Sequence, residues 1–206
     1  MLHYSTIDKS TLELLKRLMA SSFFSNMYLC GGTSLALQIG HRKSIDIDLF
    51  GQIDLDDITA ANTLNSIGTT QTIKKSQNIH IYIVNGIKVA LVNYPYPWIK
   101  PIITKDTIRL GSKPDIAAMK LAAVAGRGSK KDFIDIYFLL REFSLSELLA
   151  FYNQKYSDGS SFMVLKSLTY FIDADDDPNP VMLTPTSWEQ VKTSIAKEIE
   201  AYLSPS

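Results

Sequence analysis

Two apolar runs, residues 79–84 (Ile-His-Ile-Tyr-Ile-Val) and 87–92 (Ile-Lys-Val-Ala-Leu-Val), are separated only by Asn85-Gly86. That dipeptide tolerates positive φ at both positions, which is what a two-residue hairpin turn demands. An antiparallel pair over 79–92 is therefore the feature around which any fold of this chain must be built. The wider stretch 69–94 reads as two or three strands. Tyr94-Pro-Tyr-Pro-Trp98 marks an extended exit from the sheet, because proline cannot donate to a ladder. Tyr94, Tyr96 and Trp98 there read as packing residues.

Upstream, Ile7, Leu12, Leu14, Leu15, Leu18 and Met19 recur at helical spacing over residues 6–20 and predict an amphipathic opening helix. Met27-Tyr-Leu-Cys30 is a short apolar run leading into Gly31-Gly32, a buried strand entering a tight turn. Residues 33–39 then predict a short helix, closed by Gly40. Residues 44–50 alternate, with Ile45, Ile47 and Leu49 on one side and Asp46 and Asp48 on the other. A helix is expected over 54–68. From Pro114 onward the pattern is helical, at 115–125, 131–142, 146–156 and from about Ser187 to Leu203. An Asp/Pro/Asn-rich segment at 173–180 reads as solvated loop. The expected class is α+β: a core of mixed sheet and helices over 1–110, then a helical region over 111–206.

The chain has 206 residues, with 21 basic against 21 acidic, so no global field steers it to nucleic acid or membrane. No apolar stretch approaches the ~20 residues needed to cross a bilayer. The N-terminus lacks the basic and apolar regions of a signal peptide, and the single Cys30 excludes an intrachain disulfide. A soluble, cytoplasmic protein without membrane association is the expectation.

Chemistry concentrates in Gly31-Gly32-Thr33-Ser34, followed after eleven residues by Asp46-Ile-Asp48. Paired glycines at a strand–helix junction let the backbone approach a phosphate, and the helix N-terminus offers unpaired N–H groups. Thr33 and Ser34 add hydroxyl donors. Aspartates at i and i+2 of a strand project from one face and suit hard divalent cations such as Mg²⁺ or Mn²⁺. Alone, these residues support binding of a metal-complexed nucleotide. Arg42, Lys43, Lys74, Lys75, Arg127, Lys130 and Lys131 could line an electropositive approach for triphosphate or RNA. Cys30 reads as a buried core thiol. The three histidines have no metal-ligand spacing.

Gly31-Gly-Thr-Ser-Leu-Ala-Leu, then Arg42-Lys-Ser-Ile-Asp-Ile-Asp-Leu-Phe50, resembles the first motif of the AbiEii/AbiGii-type toxin nucleotidyltransferases of the polymerase-beta-like superfamily. The resemblance continues through Asp115-Ile-Ala-Ala-Met-Lys120 and Arg127-Gly-Ser-Lys-Lys-Asp132-Phe-Ile-Asp135. It also takes in Tyr170-Phe-Ile-Asp and Trp188-Glu-Gln-Val-Lys192. It implies a metal-dependent enzyme that moves an NMP from an NTP to an acceptor hydroxyl. The enzyme would be the toxin of a bacterial toxin–antitoxin or phage-defence pair, with tRNA or other RNA as acceptor and a cognate antitoxin as partner.

By the same resemblance Lys120 meets a phosphate and Arg127 assists nucleotide binding. Asp132 or Asp135 acts as an acid or base toward the acceptor, with Asp132 favoured, and the helical region completes the active site. Many members of the superfamily carry a third metal-binding carboxylate on a later strand, whereas residues 87–92 contain no acid. Two alternatives accordingly stay open. One is transfer to a protein or small molecule; the other is a degenerate member that binds nucleotide without turnover.

Overall fold

The computed structural model describes residues 1–52 and 57–204, which divide into two compact units. The first holds residues 1–96 and 102–111, the second 97–101 and 112–206. The class is α+β, a seven-stranded mixed sheet with helices and a helical C-terminal region.

In the first unit, helix α1 (Lys9–Ala20) leads through a short turn to strand β1 (Met27–Leu29) and helix α2 (Gly31–Ile39). Strand β2 (Ile47–Gly51) and helix α3 (Asp57–Ile67) follow. The start of the helix expected from residue 54 lies outside the described residues. Then come β3 (Thr70–Lys75), β4 (Ile79–Val84), β5 (Ile87–Asn93), β6 (Ile103–Lys105) and β7 (Ile108–Leu110). The strand order is β3-β4-β5-β2-β1-β7-β6. Pairing is antiparallel except for β2 with β5 and β1 with β7.

The turn between β4 and β5 has Asn85 at φ 50° and Gly86 at φ 80°, the twist that an Asn-Gly hairpin favours. The core gathers Leu14, Leu15 and Leu18 of α1, Leu29 of β1, Ile47 and Leu49 of β2, and Tyr82, Val89 and Leu91 of the hairpin. Ile7 is buried ahead of α1 rather than within it.

Two differences from the sequence reading in this unit come from contacts with residues far away in the chain. The alternating strand begins at Ile47 rather than at residue 44, and Ile45 is 60% exposed instead of sharing the face of Ile47. Residues 44–46 are drawn off the ladder: the Ser44 amide donates to the Thr6 carbonyl at 2.9 Å, and the Thr33 hydroxyl donates to the Asp46 carbonyl. The second difference is the β6–β7 hairpin, which the sequence reading omitted. Its turn is made by Asp106 (φ 50°) and Thr107 (φ 68°), with no glycine to announce it. Arg109 of β7 donates to the carbonyls of Met27 (3.2 Å), Met19 (2.9 Å) and Phe24 (2.7 Å), tying this hairpin to the end of α1 and to β1.

The second unit contains α4 (Lys113–Gly126), α5 (Lys130–Leu139), α6 (Leu145–Lys155), α7 (Ser161–Leu168), the single turn α8 (Ile172–Asp175) and α9 (Trp188–Leu203). Ser112, Ser144, Ser160 and Ser187 cap α4, α6, α7 and α9 through their hydroxyls, accounting for orphan N–H groups at each start. The stretch expected as loop begins inside α8, which takes in Asp173–Asp175, and is irregular over 176–180. The carbonyls of Asp175 and Asp177 accept from the buried Lys130 ammonium. Asp175 Oδ1 also accepts from Trp188 Nε1 at 2.6 Å and from Lys192 at 3.0 Å. Phe133, Phe171 and Trp188 pack edge-on and tilted beneath it, their centroids 5.0–5.9 Å apart.

Candidate active site

Helix α2 starts directly after β1, with Cys30 as its N-cap residue and the Cys30 thiol buried in the core. Gly31 and Gly32 therefore form the helix's first turn rather than a turn ahead of it. Gly31 has φ +65°, and a Cβ built there would lie 2.9 Å from Asp48 Oδ2. The Asp48 carboxylate thus stands against the glycine turn in space, although seventeen positions separate them. The Cys30 amide donates to the Asp48 carbonyl at 2.9 Å and fixes that approach.

Thr33 and Ser34 are buried. The Thr33 hydroxyl bonds with Ser44 Oγ at 2.8 Å and with the Asp46 carbonyl, so it positions the chain that carries Asp46. Ser34 Oγ accepts from Gln38 Nε2 at 3.2 Å, and Gln38 also donates to the Gly111 carbonyl at 3.0 Å. The donors left to meet a phosphate are main-chain N–H groups of the first helical turn, which have no carbonyl four residues back within the helix.

Asp46 precedes β2 and Asp48 lies within it. Among the described residues no group of three or more His, Cys, Asp and Glu could hold a metal ion. Two carboxylates nevertheless fit Mg²⁺, a hard cation that is commonly held by one or two carboxylates together with substrate phosphates and water. The helix N-terminus attracts a phosphate while Asp48 beside it repels one. A divalent cation held by the carboxylates would resolve that conflict.

A second polar cluster lies in the other unit. Lys120 of α4 is buried, its ammonium donating to Asp132 Oδ1 at 2.7 Å and pairing with Asp135 Oδ2 at 2.6 Å. Arg127 grips Asp132 with two donors, Nε at 2.8 Å and Nη2 at 3.1 Å, and Ser129 Oγ donates to it at 2.6 Å. Burial opposes the charge on Asp132. The Lys120 and Arg127 charges with their hydrogen bonds outweigh it and hold the carboxyl well below the usual range. Both carboxylates are buried, whereas the Arg127 side chain is 64% exposed.

Nearby, buried Asp115 accepts from the Ile99 and Lys100 amides (2.8 and 3.2 Å) and pairs with buried Lys155 at 2.8 Å. It anchors residues 97–101 to the helices. Of the basic residues that could line an approach, Arg42 and Lys130 are buried and bonded within their own units.

A family model of the nucleotidyl transferase AbiEii toxin of type IV toxin–antitoxin systems matches residues 13–96, the stretch that carries the glycine turn and both aspartates. A relative from Aquifex aeolicus strain VF5, the uncharacterized protein aq_aa25, is 31% identical over 207 residues, covering 96% of this chain and 98% of its own. The chain belongs to the AbiEii nucleotidyl transferase toxin family.

Two crystal structures from Helicobacter pylori share the fold at 16% identity and a TM-score of 0.58. One is assigned provisionally as a nucleotidyltransferase, with 94% of this chain and 95% of that one covered; the other is JHP933, at 95% and 92%. As an AbiEii-family member the chain is a nucleotidyltransferase toxin of a type IV toxin–antitoxin system, with an NTP as substrate and an antitoxin as partner. Among the described residues no helix is long and apolar enough to cross a membrane.

Proposed function

We propose that the first turn of α2 and the pair Asp46/Asp48 bind an NTP complexed with Mg²⁺ or Mn²⁺, and that an acceptor hydroxyl attacks its α-phosphorus in line, releasing pyrophosphate. The observation that carries this reading is the close approach of Asp48 Oδ2 to Gly31, where an added Cβ would lie 2.9 Å away, which supports a phosphate and a cation meeting at the start of α2. Asp46 and Asp48 would hold the cation, which when bound neutralises the triphosphate and the charge developing on the leaving group. Main-chain N–H groups at Gly31, Gly32 and Thr33 receive phosphate oxygens. The Thr33 and Ser44 hydroxyls keep Asp46 in place.

The role of the second cluster rests on family resemblance: Lys120 and Arg127 contribute cationic groups toward the nucleotide. Asp132 is so firmly ionised by its three donors that it is a poor proton acceptor at neutral pH. We therefore assign Asp132 and Asp135 to holding Lys120 and Arg127 in position. The acceptor most in keeping with a toxin of this family is RNA, with tRNA first, and phage defence is the biological role that follows.

A second reading, nucleotide binding without turnover, draws on β5, where Ala90 stands beside Asp48 and no acid is present. Incubating the protein with each α-labelled NTP, Mg²⁺ or Mn²⁺, and total tRNA separates the two. Label that enters RNA and is lost in Asp48→Ala supports transfer. Retained nucleotide binding with no label passed to RNA, protein or small molecule decides for the second reading.

A further inference from the structure

The parallel register of β2 on β5 sets Ile47 beside Val89 and Asp48 beside Ala90. Because strand side chains alternate, Lys88 and Ala90 belong to the same sheet face as Asp48, with Val89 and Leu91 buried on the other. Lys88 Nζ lies 4.0 Å from Asp46 Oδ2, with the two side chains 45% and 28% exposed. The neighbouring strand thus brings the carboxylate pair one methyl group and one ammonium.

Two aspartates carry two negative charges, and Lys88 already offsets one of them. A second divalent cation on Asp46 would sit within a few ångströms of that ammonium and be repelled by it. At 4.0 Å, on a flexible four-carbon stem and half in solvent, Lys88 is not locked into a tight pair. It can turn its charge to a phosphate, as lysine does when it binds phosphate as a point charge.

We propose that this site holds a single divalent cation, and that Lys88 takes the place of a second one, pairing with a phosphate of the bound NTP. This rests on the nucleotidyl-transfer reading above. It adds a phosphate-binding residue and a metal stoichiometry that the family assignment does not supply.

The test counts Mn²⁺ bound per full-length chain, by electron paramagnetic resonance and calorimetry, in the presence of each non-hydrolysable α,β-methylene NTP. Wild type is compared with Lys88→Ala, Lys88→Arg and Lys88→Asp, each checked for native circular dichroism. The expected result is one Mn²⁺ in wild type and two in Lys88→Asp. Analogue affinity should fall roughly tenfold in Lys88→Ala and be kept in Lys88→Arg, as loss and retention of one charged contact imply. Two Mn²⁺ on wild type, or unchanged analogue affinity in Lys88→Ala, overturns the proposal while leaving nucleotidyl transfer standing. Wild type that binds neither Mn²⁺ nor any analogue overturns the transfer reading, and this inference falls with it.

Discussion

At Gly31 a left-handed backbone and a close neighbour coincide: φ is +65° and Asp48 Oδ2 would lie 2.9 Å from an added Cβ. Gly31→Ala meets two penalties, about 1 kcal/mol for the left-handed conformation and a displaced carboxylate. Metal-dependent NTP binding should weaken at least tenfold by calorimetry, while the melting temperature falls only a few degrees.

Asp132 supports a prediction of a different kind, because its carboxyl is held well below the usual range. A depressed carboxylate contributes stability that is fully present above its unfolded value, about 3.9, and is lost as pH falls toward its folded value. Asp132→Asn should therefore destabilise by roughly 3 kcal/mol at pH 7, as expected when a buried pair loses one partner. In urea titrations the gap between the two proteins should begin to narrow as pH drops below about 4 and keep shrinking toward the folded value. A gap of constant size from about pH 6 down to about pH 2 would show that the ion pairs are not its source.

Elements announced by local chemistry were legible from the sequence. The Asn85-Gly86 turn, the Gly40 helix stop and the start of α9 at Ser187 each depend on neighbours within a few positions. The β6–β7 hairpin was not legible, since three-residue strands carry too little periodicity and its turn uses Asp106 and Thr107. What holds it is distant: Tyr4 donates to Asp106 Oδ2 at 2.6 Å, and Arg109 reaches three carbonyls upstream. Arg109→Ala leaves those carbonyls without their charged donor and should cost about 2 kcal/mol in chemical denaturation. Arg109→Lys cannot reproduce the fork and should recover less than half of the loss.

At the scale of the whole molecule, the cation and nucleotide should act together. With no metal cage among the described residues, EDTA alone should leave the melting temperature unchanged. NTP with Mg²⁺ should raise it, by mass action on the folded state, and EDTA should cancel that rise. A melting temperature that drops on chelation without nucleotide would point to a structural metal instead.

The sequence by itself determined that a glycine pair joins a short strand to a short helix and that Asp46 and Asp48 lie two apart, because glycine freedom and strand alternation are local. That the glycines are the helix's own first turn came from the structure. Only the tertiary structure decided that Asp48 stands over the glycine turn and that the Thr33 hydroxyl is used to hold Asp46. It also decided that Lys120 is buried between two aspartates, and that Lys88 lies beside Asp46 from the neighbouring strand. Those facts follow from strand register and helix packing between residues far apart in the chain, and register is set by the fit of whole faces rather than by any short run of residues.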